Sequence, residues 1–198
     1  MYQLTQNHPS KRAFITGAAS GLGKAFCQEL SKDGWTIGMA DINTKELEAA
    51  AAEIEMAGGK PLMFPLDVSD KDQYKLVAEE FLTKAGGIDL LFNNAGVGDG
   101  SLFEEYNIEN YEWMVGINQM GVVHGCWYFI PAMKKQASGH IINTASAAAI
   151  GCERHTANSC VLPSDRGSCR CAGSALLCSS GASLSSVRSA TRSSVRAR

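Results

Sequence analysis

Two residue types are missing from the last third of this 198-residue chain: no tyrosine follows Tyr128 and no lysine follows Lys135. Tyrosine and lysine are among the side chains that exchange protons in general acid–base catalysis. Residues 136–198 therefore contain no proton-transfer group of either kind.

Long apolar runs are missing as well. No stretch approaches the ~20 apolar residues that a membrane-spanning helix needs, and residues 1–10 are polar, without the apolar core of a secretion signal. We therefore expect a flexible N-terminus at 1–10, a cytoplasmic location and no membrane partner.

Cysteine is scarce before residue 150, where only Cys27 and Cys126 occur. Each lies in a segment whose apolar residues have helical spacing, which favours a small core residue over a nucleophile. Disulfides are rare in cytosolic proteins, so we expect none in this part of the chain.

Composition changes near Gly151. Residues 1–150 hold 11 Lys and Arg against 18 Asp and Glu, whereas residues 151–198 hold seven Arg, no Lys and two acids. The second segment also has twelve serines and five cysteines, but no Phe, Trp, Tyr, Ile or Met. Such a segment cannot bury a core, so we expect a disordered Ser/Arg/Cys-rich tail at 151–198.

Two motifs in the tail have functional interpretations that its composition disfavours. Arg188, Arg192 and Arg196 recur among serines as in a basic nucleic-acid-binding arm, but no aromatic residue is present to stack on bases. Cys152 and His155 are metal-ligand types, but the paired C-x-x-C spacing of structural zinc sites is absent. We expect neither a nucleic-acid partner nor a metal.

Strand-like and helix-like segments alternate up to residue 150. Apolar runs of strand length end near Ile15, Met39, Leu66, Phe92 and Thr144, with helical patterns between them. This β-α-β-α order predicts an α/β protein with a doubly wound parallel sheet that stops after about the fifth strand.

Residues that begin and end helices mark several boundaries. Asn43 and Glu46 have the spacing of a capping box, in which each side chain bonds the backbone N–H of the other residue. Ser69 predicts the start of a helix that ends at Gly86. A long helix is expected from Met120 to Lys135.

Glycines join the first strand to the first helix in residues 16–23, TGAASGLG. Without side chains the backbone can approach a ligand closely, and the N-terminus of the following helix favours an anion. An ordinary strand-to-helix loop is the alternative. The residues expected at a pyrophosphate are Gly17, Ser20, Gly21, Leu22 and Gly23.

Further motifs follow this G-x-x-x-G-x-G turn in order: Asp41, Asp67-Val68, Asn93-Asn94-Ala95-Gly96, Asn118 and Ser146. With these motifs, residues 11–150 resemble the short-chain dehydrogenase/reductase family. The resemblance implies a Rossmann fold that binds NAD and a hydride transfer between the nicotinamide and a secondary alcohol or ketone. It also implies a small-molecule alcohol or ketone substrate and a homo-oligomer.

Asp41 follows the second strand, where a carboxylate can accept hydrogen bonds from the adenosine ribose and repels a 2′-phosphate. The family's NADP users carry a basic residue in the glycine turn or just after this acid, and those places hold Ala19, Ser20 and Ile42 here. NAD is therefore expected over NADP. A plain turn residue is the alternative interpretation of Asp41.

The resemblance assigns five more residues to the cofactor. Asp67 would contact the adenine amine, with Val68 beside the ring; a helix-entry aspartate is the alternative. Asn94 would tie neighbouring strands together and line the site, and Ala95 and Gly96 would pass close to the cofactor.

The resemblance also assigns the chemistry. Ser146 would hydrogen-bond the substrate oxygen, and Asn118 would position a water in a proton relay. The family's Tyr-x-x-x-Lys pair falls on Ser159 and Pro163 in this chain. We therefore expect the intact parent protein, in which this pair is present, to be an NAD-dependent oxidoreductase, and the present chain to be inactive because it lacks the pair. A non-catalytic NAD(P)-binding or interaction module, a pseudoenzyme, is the alternative.

The tail generates a prediction at the level of the gene. Serine and arginine have many codons and accumulate in off-frame translation, so we hypothesise that the reading frame shifts just after Ile150. Sequencing the coding DNA beyond the Ser146 codon is expected to find Tyr-x-x-x-Lys in another frame, about 13 codons after it, as family spacing requires. Its absence from all frames would favour a splice variant or a pseudoenzyme.

Overall fold

Five strands and five helices are present in a computed structural model of the chain, which describes residues 8–98 and 107–145. The strands are β1 (Arg12–Thr16), β2 (Thr36–Asp41), β3 (Lys60–Pro65), β4 (Leu90–Asn93) and β5 (His140–Asn143). The helices are α1 (Gly21–Lys32), α2 (Thr44–Met56), α3 (Lys71–Ala85), α4 (Ile108–Val115) and α5 (Gly121–Lys135). Ser146 and the tail at 151–198 lie outside the described residues.

The strands form one parallel sheet in the spatial order β3-β2-β1-β4-β5. Ile15 of β1 pairs with Met39 on one side and with Phe92 on the other. The chain thus builds the sheet outward from β1 in both directions, which confirms the predicted doubly wound architecture. All carboxyl ends of the strands meet at one edge of the sheet.

Helices cover both faces of the sheet. Alternate residues of β1 point to opposite faces, so this strand contributes to a buried cluster on each face. Ile15 belongs to a buried cluster that includes Trp35. Phe14 belongs to the other cluster, where its ring centroid lies 4.8 Å from that of Phe129 and 5.1 Å from that of Phe81. Burial on both faces explains why the central strands are almost continuously apolar.

An ion pair joins β1 to β4 at the amino edge of the sheet. The Arg12 Nε and backbone N donate to Asp89 Oδ2 at 2.9 and 3.0 Å, and Nη2 donates to Oδ1 at 2.9 Å. The Asp89 side chain is 5% exposed. Its hydrogen bond raises the pKa of the Arg12 guanidinium. This pair fixes the two strands at the edge opposite their carboxyl ends.

The start of α2 confirms half of the predicted capping box. Asn43 Oδ1 accepts from Glu46 N at 3.2 Å, as expected. The return bond differs, because Asn43 N donates to Asp41 Oδ1 at 3.0 Å. Asp41 lies two residues before Asn43 and supplies the carboxylate that Glu46 was expected to bring.

The predicted cap of α3 is wrong by one residue. Asp70, not Ser69, accepts the backbone N–H groups of Asp72 and Gln73, at 2.9 and 3.0 Å. The Ser69 hydroxyl donates instead to Asp67 Oδ1 at 2.6 Å.

The predicted long helix is α5, but it is preceded by two further elements. Helix α4 was not expected, and a π-helical turn at Gly116–Met120 joins it to α5 without a break. Single π-turns within helices are frequent at functional sites, and this one contains Asn118. No helix among the described residues is long and apolar enough to cross a membrane.

Both cysteines of the described region are free thiols. Burial raises the pKa of Cys27 to about 12 and also raises the pKa of Cys126. A raised pKa leaves a thiol protonated and unreactive near neutral pH. Cys27 is a buried core residue, as predicted, whereas Cys126 is only partly buried.

We predict that Tyr74→Phe leaves the free energy of unfolding unchanged or raises it. Tyr74 is fully buried, and its hydroxyl has no hydrogen-bond partner among residues 8–98 and 107–145. Removing an unsatisfied hydroxyl removes its desolvation cost, which is about 1–3 kcal/mol. Urea unfolding measures the change, with Phe81→Ala as a control expected to lose about 3–5 kcal/mol. A loss above about 1 kcal/mol in Tyr74→Phe would show that the hydroxyl has a partner.

Candidate functional site

The turn between β1 and α1 has room for glycine alone at two positions. Gly17 has φ +65°, and a Cβ there would lie 3.0 Å from Ala95 Cα and 3.1 Å from Asn94 Nδ2. A Cβ on Gly23 would collide with the carbonyl oxygen of Gly17. Gly21 also has a positive φ, +51°. The turn is therefore folded tightly on itself and against the loop that follows β4.

The N-terminus of α1 is suited to an anion. Ser20 precedes the helix, its side chain makes no capping hydrogen bond, and the first turn has no acidic residue. The first N–H groups of an α-helix have no partner within the helix, and the helix dipole adds positive charge there. Leu22, in this first turn, is 62% exposed. The predicted phosphate position is therefore open, and the first turn of α1 places no negative charge beside it.

Asp41 connects the end of β2 to this turn. Its Oδ2 accepts from Ala19 N at 3.0 Å, and its Oδ1 accepts from Asn43 N at 3.0 Å. Each carboxylate oxygen can accept a second hydrogen bond. The side chain is half-buried, and the neighbouring Ile42 is 70% exposed. The carboxylate is therefore held at the carboxyl edge with acceptor capacity to spare.

Asp67 and Val68 follow β3 at the same edge. Asp67 Oδ1 accepts from Ser69 N at 2.9 Å, in addition to the Ser69 hydroxyl. Val68 is 6% exposed, its carbonyl oxygen lies 2.9 Å from His124 Nδ1, and a Cβ on Gly121 would lie 2.8 Å from its Cγ2. Val68 thus packs on α5, and its contact with an adenine ring stays a prediction.

Asn94 connects β4 to β1 and β5. Its Nδ2 donates to the carbonyl oxygens of Thr16, at 3.1 Å, and Gly17, at 3.4 Å. Its Oδ1 accepts from Thr144 Oγ1 at 3.0 Å. The Thr16 hydroxyl oxygen accepts from the backbone N of Asn94 and of Ala95, both at 3.0 Å. The loop after β4 is thereby fixed against the glycine turn.

Asn93 bonds to β5 instead. Its Nδ2 donates to Asn143 Oδ1 at 2.9 Å, across paired residues of β4 and β5. The adjacent asparagines therefore have different partners: Asn93 bonds to β5 alone, whereas Asn94 bonds both to the end of β1 and to Thr144 after β5.

Asn118 holds the chain that leaves Gly96. Its Oδ1 accepts from Val97 N and its Nδ2 donates to Val97 O, both at 2.8 Å. A Cβ on Gly96 would lie 3.2 Å from Asn118 Oδ1. Both polar atoms of the side chain are thus engaged by one backbone residue, and the water-positioning role of Asn118 stays a prediction.

The structure brings most of the predicted residues to one edge. The glycine turn, Asp41, Asp67, the loop from Asn94 to Gly96, and Asn118 all lie at the carboxyl ends of strands or on the helix packed there. Ser146 lies outside the described residues, three positions beyond the end of β5. Its role stays a prediction.

Thr16 and Thr144 were missed by sequence reasoning, although both bind Asn94. Thr16 is 2% exposed and ends β1. A hydroxyl at the last position of an otherwise apolar strand was the available signal for Thr16. Thr144 offered no comparable local signal, because its partner is 50 residues away.

These residues fit a nicotinamide dinucleotide. The open N-terminus of α1 suits the pyrophosphate, the positions of Gly17 and Gly23 exclude side chains there, and the Asp41 carboxylate suits ribose hydroxyls. No group of three or more His, Cys, Asp or Glu that could hold a metal occurs within the described ranges.

Comparison with known proteins gives the same picture. A family model described as short chain dehydrogenase matches residues 11–158. The 3-oxoacyl-[acyl-carrier-protein] reductase FabG of Thermotoga maritima is 36% identical over 140 residues, which cover 71% of this chain and 57% of that protein. The chain therefore spans just over half of that relative's length.

Solved structures extend the likeness to the fold. A short-chain dehydrogenase/reductase from Burkholderia phymatum in complex with NAD is 37% identical with a TM-score of 0.72, over 74% of this chain and 52% of that one. A metagenomic short-chain oxidoreductase in complex with NADP is 30% identical with a TM-score of 0.67, over 70% of this chain and 64% of that one.

Proposed function

This chain belongs to the short-chain dehydrogenase family, and we propose that its residues 11–150 bind NAD at the carboxyl edge of the sheet. The observation that carries the proposal is the glycine turn, which is closed to side chains at Gly17 and Gly23 and leads into an uncapped helix N-terminus. Gly17, Ser20, Gly21, Leu22 and Gly23 would hold the pyrophosphate.

Asp41 supports NAD as the preferred cofactor. Its carboxylate is bonded to the backbone of the turn at Ala19, and the adjacent Ile42 is exposed and uncharged. A ribose 2′-phosphate beside this carboxylate would place two negative charges together. Solved relatives are in complex with NAD or with NADP, so this preference rests on Asp41 and on the uncharged residues Ala19, Ser20 and Ile42.

The reaction proposed for the intact parent is hydride transfer between the nicotinamide and a secondary alcohol or ketone. The nicotinamide supplies the hydride acceptor or donor. Ser146 would bind the substrate oxygen, Asn118 would hold the proton-relay water, and Asn94, Ala95 and Gly96 would lie beside the cofactor. The reductase FabG acts on a 3-oxoacyl group, which agrees with a carbonyl substrate.

Turnover by the present chain is not part of the proposal. The positions of the family's tyrosine and lysine hold Ser159 and Pro163, and no Tyr-x-x-x-Lys occurs in the sequence. General acid–base catalysis contributes about 10²- to 10⁴-fold to rate, so loss of both groups removes most activity. The second candidate function is a non-catalytic NAD(P)-binding module. The missing Tyr-x-x-x-Lys pair favours it if the tail is translated in the correct reading frame.

NADH binding tests the proposal. Gly17→Ala is expected to weaken NADH binding at least about tenfold, because its Cβ meets Ala95 and Asn94. Gly34→Ala is the matched control: Gly34 also has a positive φ, +78°, but a Cβ there meets nothing within 4 Å. Both variants pay a similar backbone strain, about 1–2 kcal/mol of stability. Fluorescence titration with NADH measures the affinities.

Equal losses of NADH affinity in the two glycine variants would contradict the proposed phosphate position. The present chain without substitutions is also expected to show no NADH oxidation with ketones. Oxidation that persists in Ser146→Ala would mean that the reacting groups have been assigned to the wrong residues.

Asp41→Asn is expected to raise NADPH affinity relative to NADH affinity about tenfold, because it removes a negative charge beside the 2′ position. Glu46→Gln serves as the control, since Glu46 is an exposed acid in the first turn of α2. Paired titrations with NADH and NADPH give the ratio. An unchanged ratio in Asp41→Asn would reject Asp41 as the selectivity residue.

A further inference from the structure

A single side-chain bond connects the end of β5 to the candidate phosphate turn through Asn94. Thr144 is the first residue after β5 and precedes Ser146 by two positions in the sequence. Its hydroxyl donates to Asn94 Oδ1, while the other end of that amide donates to Thr16 O and Gly17 O. Thr144 thus acts on the turn through a residue it contacts rather than by touching the turn itself.

The polarity of these groups fixes the orientation of the Asn94 amide. The carbonyl oxygens of Thr16 and Gly17 accept hydrogen bonds and cannot donate them, so they require the amide nitrogen. The amide oxygen then faces Thr144, whose hydroxyl has a proton to donate. Exchanging the oxygen and nitrogen would set the oxygen against two carbonyls. One orientation alone therefore satisfies every group.

The backbone of Thr144 is itself held in place. Thr144 N donates to Asn93 O at 3.0 Å, which continues the pairing of β5 with β4 beyond Asn93 and Asn143. The hydroxyl is therefore presented from a fixed strand end. The Asn94 amide nitrogen in turn donates to Gly17 O at 3.4 Å, so a tilt of the amide would disturb its bond to the turn.

We propose that Thr144 is a positioning residue for the cofactor site: its hydroxyl orients the Asn94 amide and so couples the strand leading to Ser146 to the Gly17 turn. The effect on cofactor affinity rests on the proposed NAD site. The effect on the orientation of the Asn94 amide does not, and it can be measured without cofactor.

Two variants of the full chain separate the hydroxyl from the shape of the side chain. Thr144→Val keeps the shape and removes the hydroxyl, whereas Thr144→Ser keeps the hydroxyl and removes a methyl group. From the net free energy that one hydrogen bond contributes, we expect NADH binding to be about fivefold weaker in Thr144→Val. In Thr144→Ser we expect binding within about twofold of that of the unsubstituted chain. Melting temperatures are recorded beside the titrations, so that an unfolded variant is recognised.

A double-mutant cycle tests whether Thr144 acts through Asn94. In an Asn94→Ala background, Thr144→Val is expected to cause no further loss of NADH affinity, because contacting residues are not additive. An equal loss in both backgrounds would overturn the proposal. A merely structural role would lower the melting temperature of Thr144→Val without changing the NADH affinity of the folded chain, and that result would also overturn it.

The Asn94 side-chain NH₂ signals provide the readout without cofactor. In the unsubstituted chain these protons are expected to exchange slowly with water. Their exchange is expected to be at least about tenfold faster in Thr144→Val and unchanged in Thr144→Ser. Unchanged exchange in Thr144→Val would reject the orienting role even if NADH binds. Faster exchange in a chain that never binds NADH would support the orienting role and reject the proposed function instead.

Discussion

Close contact between the glycine turn and the loop after β4 is the constraint on which the site depends. A Cβ on Gly23 would collide with the Gly17 carbonyl, and a Cβ on Gly17 would press on Ala95. A side chain at Gly17 or Gly23 would therefore displace its neighbours, so the turn is formed by backbone alone at these positions. The N–H groups in the first turn of α1 have no capping side chain. Asn94 then fixes the turn with polar bonds that need little space.

The two edges of the sheet are stabilised by different interactions. The amino edge has a bidentate ion pair, Arg12 with Asp89, whose carboxylate is almost fully buried. The carboxyl edge is held mainly by neutral hydroxyl and amide groups, such as Thr16 and Asn94. Neutral donors hold strands together without setting up a field that would compete with an anionic ligand. Asp41 and Asp67 are the charged exceptions, and the family resemblance places them at the ribose and at the adenine amine rather than at a phosphate.

Sequence reasoning succeeded where structure is local and failed where partners are distant. The doubly wound parallel sheet followed from alternating apolar runs, and the Asn43 cap followed from a bond to a residue three positions away. One local prediction was also wrong: Asp70, not Ser69, caps α3, because its carboxylate accepts the N–H groups of Asp72 and Gln73. Thr144 could not be found from sequence, since its bond to Asn94 spans 50 residues and exists only after β4 and β5 pair.

The residues proposed for cofactor binding and the positions of the family's proton-transfer pair lie in separate stretches of this chain. The contacts that shape the turn and its neighbouring loop join residues 16–23, 41, 93–97, 118 and 144, all of which precede Ser146. The positions that should transfer the proton, Ser159 and Pro163, come later in the sequence. Replacing that pair removes the family's acid–base tyrosine and the lysine that supports it, but none of the contacts that shape the turn. We therefore expect affinity for the dinucleotide to persist without turnover. For this reason it is physically reasonable that a former dehydrogenase acts as a binding module.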